Sequence, residues 1–230
     1  MASQKKLVCL ANSRKLSGRC VAGMVDDGSG EWVRPVSARS NREVSVLESQ
    51  YEDRTSPSVL DVVSVPLLRP QPHVFQSENW LLDPKYHWEK TGKVGWSALL
   101  RLEQRPSTLW INGSSTRHGS NDRIPAEEAV ALPDSLKLIR VTGLKLQVHV
   151  PWAMSGEPVL RACFSYAGHL HILRVTDSEY ESEYLAKPEG FYRVGESFLT
   201  VSLGEVFEGH VYKLVAAIIE RAKTPTGSRR

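Results

Sequence analysis

The chain has 230 residues, of which 41% are hydrophobic and 24% charged. This ordinary globular balance excludes a disordered chain and supplies core for one large domain or two of about 100 residues. The net charge of +3 excludes a uniformly cationic nucleic-acid binder, so any surface for phosphate has to be local.

The N-terminal apolar stretch "LVCL" is too short for the core of a signal peptide, and no run reaches the roughly 20 residues of a membrane span. The expectation is a cytoplasmic protein with no membrane partner. Short β-type runs follow at Lys6 to Leu10, Cys20 to Val25 and Glu31 to Val36, the last two separated by "DDGSG", whose glycines supply the positive φ of a hairpin turn. Further β-type runs lie at Val59 to Leu68 and Val74 to Leu82. "SALLRL", Ser97 to Leu102, has helical composition, and Pro106 closes that segment. Asn112 to Asp134 is polar, rich in Gly and Ser and then flanked by proline, which marks a boundary.

Beyond the boundary, Leu136 to Val150 alternates as a long strand bent at Thr142-Gly143. Val159 to Tyr166 and His169 to Thr176 form a second hairpin around Ala167-Gly168. Ser178 to Leu185, "SEYESEYL", reads as a short acidic helix or turn with Ser178 placed to cap it. The C-terminal run "HVYKLVAAIIE" matches helical spacing, but its density of branched residues after a glycine turn favours strand. The three cysteines, Cys9, Cys20 and Cys163, are unclustered in apolar sequence and read as reduced core residues.

About five β-runs and one short helix stand on each side of the boundary. That predicts a mainly β protein of two tandem OB-like (oligonucleotide-binding) Greek-key β-barrels with short helices, although a single large sandwich fits the same count. The division is residues 1–131 for the first barrel with its linker and 132–230 for the second barrel with a basic C-terminal tail. "GEWVRPVS" and "LHILRVTD" echo one another, each setting an arginine, Arg34 or Arg174, near the end of a hairpin strand. "CLANSRKLSGRCVAG", "GEWVRPVS", "LRVTD" and "FLTVSLGEVFEGHVYKLVAAII" together resemble the bacterial dual OB-containing domain family over roughly Lys5 to Glu220. The resemblance implies two OB folds in tandem and a nucleic-acid-associated role, often in bacterial defence or mobile-element settings, and it carries no catalytic residue.

Charge locates the candidate surface. Residues 1–42 hold eight cations against three anions, +5, whereas residues 132–220 hold eight against eleven, −3. The first barrel is therefore expected to dominate binding and the second to serve structure or a partner. Asn12, Arg14, Lys15 and Arg19 lie in or beside the first strand connection, which borders the ligand face of an OB barrel. Trp32 next to Arg34, with Arg39 beyond, supplies a ring for base stacking and cations for phosphate. In "YHWEKTGKVGW", Trp88 and Lys93 repeat that interleaving. A solvated turn and core tryptophans are the structural alternatives at these positions.

Catalysis is poorly marked. The chain has no GxxxxGK[ST], GxSxG or HExxH segment, and no cofactor is implied. His169, His171 and Asp177 are the one arrangement that resembles a metal site, while Glu179, Glu181 and Glu183 read as a solvated face. The leading expectation is a non-enzymatic module for single-stranded DNA or RNA, or a nucleic-acid junction. A protein-interaction scaffold is the alternative, and a metal-dependent hydrolase or nuclease built on His169, His171 and Asp177 is the second.

Overall fold

The computed structural model describes residues 3–15, 18–150 and 156–227, with the Lys15 side chain outside the described set. The chain divides into two compact units, one running to Leu102 and resuming at Thr224, the other covering Glu103–Lys223.

The first unit contains β1 (Ser3–Lys15), β2 (Gly18–Val25), β3 (Trp32–Val36), α1 (Val46–Ser49), β4 (Asp61–Pro70), β5 (Asn79–Leu82), β6 (Glu89–Lys93) and α2 (Trp96–Leu102). Strand order β1-β2-β3-β5-β4 closes through β1–β4 pairing, Ser3 opposite Leu67 to Val8 opposite Val62. The β3–β5 pair is parallel and begins at Arg34 opposite Asn79. β1 serves two neighbours because it is long and carries a register shift between Cys9 and Ala11. Gly23 allows the tight approach, since a Cβ there would sit 2.3 Å from the Val8 carbonyl oxygen. Alternation along these strands sends Leu7, Cys9, Val21, Val33, Val63, Val65 and Leu67 inward, where Tyr51, Leu82 and Trp88 complete the core. Only the second half of the Val74 to Leu82 run is a strand. Val74 itself has φ +51, a turn conformation that a strand does not use.

The second unit contains β7 (Arg123–Pro125), α3 (Ala126–Ala129), β8 (Leu136–His149), β9 (Val159–Tyr166), β10 (His169–Val175), α4 (Ser178–Tyr184), β11 (Gly190–Phe207) and β12 (His210–Glu220). The order β8-β9-β10-β12-β11 closes through β8–β11, with β10 and β12 parallel. First, second, third, fifth and fourth strands thus follow one another around both barrels, and α1 and α4 both connect the third strand to the fourth. That is the tandem OB architecture expected from the β-runs. The bend at Thr142-Gly143 falls where β8 shifts register against Gly195 and Ser197 of β11. The ambiguous C-terminal run is strand β12.

Two elements differ in detail from expectation. The cap of α4 is Asp177, one residue before Ser178; its Oδ1 accepts from the Glu179 and Tyr180 backbone N–H groups, while Oδ2 accepts from Ile218 N at 3.0 Å. One carboxylate therefore fixes the helix start and staples it to β12. The segment 112–134 is built into the second unit, because Ile124 of β7 pairs with Val211 of β12. The compact units accordingly part at Leu102/Glu103. Residues 224–227 return to the first unit, where the Trp96 N–H donates to Pro225 O at 2.9 Å and the Ser97 hydroxyl to Thr226 O at 2.9 Å. Among the described residues no helix is long and apolar enough to cross a membrane.

Candidate nucleic-acid interface

In the first barrel the β1–β2 hairpin sets Arg14 directly opposite Arg19, and Lys15 opposite Gly18. Arg14 is exposed and Arg19 half-buried. The Arg19 backbone bridges Val44 in both directions, at 2.8 and 3.0 Å, so the segment that follows β3 lies beside the hairpin end. Gly18 makes this fit: a Cβ there would meet Glu43 Cγ and Val44 O at 2.7 Å. Arg39 is on this segment, with Nη2 3.8 Å from the buried carboxylate of Glu43. Arg14, Arg19 and Arg39 are therefore gathered at one end of the barrel.

The other expected positions fall elsewhere. Asn12 donates its side-chain N–H to Pro57 O at 2.6 Å and ties β1 to the chain before β4. Trp32 is buried, and Arg34 forms a buried ion pair with Glu78 at 3.1 Å, so neither presents itself to a strand of nucleic acid. Trp88 is 2% exposed and belongs to the core. Its neighbours Tyr86, His87, Glu89 and Lys90 are exposed, which is why interleaved cations made it look like a platform. Lys93 is exposed on β6, opposite Asp61.

The best-formed site is in the second barrel, where charge counting placed none. On the β9–β10 hairpin Arg161 pairs directly with Arg174, and Arg174 also faces Leu214 of β12. These are second- and third-strand positions, the face with which OB barrels hold oligonucleotides. They line a cleft of about 380 Å³ with Phe207, Tyr212 and Lys213. Phe207, at the β11–β12 turn, is 63% exposed, and its ring lies 6.4 Å from that of Tyr212.

Asp122 organises the polar floor. It accepts from the Thr116 N–H at 2.7 Å and from the Thr116 hydroxyl at 2.5 Å, and stands 3.7 Å from Arg161 Nη1. Lys213 is 1% exposed and donates to Ile111 O at 2.7 Å and to Asn112 Oδ1 at 2.9 Å. Burial pulls its ammonium down to about 8. Burial likewise lowers Arg161, opposed by Asp122 and reinforced by the neighbouring charge of Arg174. Among the described residues the buried Arg161 Nε has no hydrogen-bond acceptor and Arg174 forms no ion pair. The cleft thus combines under-neutralised guanidinium groups with an exposed ring, the two components of single-strand recognition.

The echo between Arg34 and Arg174 was the available signal. Both stand on a third strand where it runs parallel to the fifth; a buried glutamate neutralises the first, and the second opens into the cleft. The possible metal arrangement does not assemble: His171 is fully buried against Phe164, with ring centroids 5.4 Å apart, His169 is exposed, and Asp177 caps α4. Among the described residues no group of three or more His, Cys, Asp or Glu side chains is placed to hold a metal ion. No curated protein and no solved structure matches the chain. The model of the dual OB-containing domain matches residues 5–218, nearly the whole length and both closed barrels, and the chain belongs to that family.

Proposed function

We propose that this protein is a non-enzymatic module that binds single-stranded DNA or RNA, with the second-barrel cleft as its anchor and the Arg14/Arg19 hairpin end of the first barrel as a further phosphate contact. The carrying observation is the Arg161/Arg174 pair beside exposed Phe207, on the strands and turn that an OB barrel uses for oligonucleotides. Family membership supports the class of ligand, and the resemblance noted from sequence supports a setting in bacterial defence or mobile elements. Each phosphate contact to a single strand releases counterions worth a slope of about −0.7 in log affinity against log salt. Titrating a fluorescent oligonucleotide with the full chain across salt concentrations tests this reading. Binding that weakens with salt is the expected result. Binding that is absent at low salt, or indifferent to salt, overturns it in favour of a protein-interaction scaffold.

A further inference from the structure

Two imidazole rings stand beside the cleft residue Arg161, whose partner across β8 and β9 is Gln147, two residues before His149. The rings of His118 and His149 lie with centroids 4.8 Å apart. His118 is exposed, and its pKa is lowered by partial desolvation and by the positive fields of His149, Arg117 and Arg161. Arg161 is the same residue that lines the cleft, so the cluster adjoins it.

The hydrogen bonding of His149 fixes its chemistry. Its Nδ1 lies 2.9 Å from Glu189 Oε1, which also accepts from the Val150 N–H at 3.2 Å. These contacts hold Glu189 below the usual carboxylate range, so this oxygen is an acceptor and Nδ1 carries the proton. In the neutral ring Nε2 then bears a lone pair, and it is buried with no partner among the described residues. Protonation turns Nε2 into a donor facing no acceptor among the described residues, next to a second imidazole that itself lies in the positive field of Arg117 and Arg161. A divalent cation does not fit such a field, since Arg117 and Arg161 repel it and Glu189 is already engaged. An oxyanion does, because it supplies acceptor oxygens and negative charge together.

We propose that His118 and His149, with Arg117 and Arg161 beside them, form a proton-linked phosphate site that holds a backbone phosphate of the strand lying in the cleft. This rests on the single-strand reading. Binding of phosphate favours the protonated rings, and by reciprocity protonation favours binding. A phosphate that raises one histidine pKa by about one unit tightens binding about tenfold at low pH.

The probe is a fluorescent oligothymidylate of about 15 nucleotides, titrated with the full chain at about pH 5 and about pH 7, a range in which histidine rather than thymine changes charge and which lies below the value of about 8 at which Lys213 in the cleft floor gives up its proton. The expected result is affinity about tenfold higher at the lower pH, with a salt slope steeper by about 0.7, one phosphate contact. In the His118→Gln/His149→Gln variant both differences disappear. His118→Gln alone, at an exposed position, removes part of the difference and keeps the test open if the double variant does not fold. A variant that keeps the full wild-type pH difference overturns the proposal. Arg174→Ala separates the two readings: unchanged affinity in that variant counts against the cleft, whereas weakened affinity together with an undiminished pH effect in the histidine variants counts against the phosphate site alone.

Discussion

Arg161 and Arg174 stand directly opposite one another on the β9–β10 hairpin, two guanidinium groups at a position where a sheet is stabilised by opposite charges or apolar pairs. Like charges so placed destabilise the hairpin by a few tenths of a kcal/mol to about 1 kcal/mol. Asp122 answers only the first of them. A bound anion would relieve this repulsion, which is what the proposed phosphate-binding role of the cleft requires.

Arg174→Ala should therefore separate stability from binding. Removing one of two opposed cations leaves the melting temperature unchanged or slightly raised. Oligonucleotide affinity falls, and the salt slope becomes shallower by about 0.7, one phosphate contact. A drop in melting temperature with unchanged affinity would make Arg174 a structural residue.

Phe207 provides the complementary test, because it is exposed and carries no charge. Phe207→Ala should cost about 1–3 kcal/mol of binding through lost base stacking, with the salt slope intact and the melting temperature near that of the wild type. Trp32→Ala should do the reverse. A buried tryptophan cut to alanine destabilises by about 3–5 kcal/mol, so its first effect is on thermal unfolding. Phe207→Ala with wild-type affinity would leave the cleft without a stacking ring.

The barrels were legible in sequence because strand alternation, glycine turns and short connections are local signals, and Leu136 to Val150 shows even the bend. The site was less legible, for two physical reasons. A tryptophan between polar neighbours, such as Trp88, is core whenever the backbone turns that side inward, as the bridge from Trp88 to Tyr51 just before β6 does here. Net charge averages over surface that folding separates: the negative balance of residues 132–220 owes much to Glu179, Glu181 and Glu183 on or beside α4, whereas Arg161 and Arg174 meet on a different hairpin. Pairing, rather than composition, brings the cations together.

Acid should loosen the second barrel through His171. This ring is fully buried against Phe164, and burial, then the charge of Lys213, pulls its pKa from 6.5 to about 4. Between those values the unfolded chain takes up a proton that the folded chain refuses, so the stabilisation is complete above 6.5 and is lost as pH falls towards 4. The full difference is roughly 3 kcal/mol. Urea unfolding at about pH 7 and about pH 5 should show a lower midpoint in acid for the wild type and a smaller decrease for His171→Leu. Equal decreases in the two proteins would assign the acid sensitivity to other groups.

The hairpin end of the first barrel yields the last prediction. Arg14 faces Arg19 across β1 and β2, as Arg161 faces Arg174 in the second barrel, and the bridge from Arg19 to Val44 holds the segment carrying Arg39 alongside. If this end also contacts phosphates, replacing Arg14 and Lys15 together by alanine weakens binding to every sequence alike and makes the salt slope shallower by about 1.4, two contacts at about 0.7 each. Arg14 is exposed at the end of a strand, so the melting temperature should hold. Arg34→Ala is the internal control: it leaves the Glu78 carboxylate buried without its guanidinium, which costs about 3–5 kcal/mol of stability, and it removes no surface cation. A double variant that keeps both affinity and slope, with the fold intact, would confine phosphate recognition to the second barrel and return the first hairpin to a solvated turn.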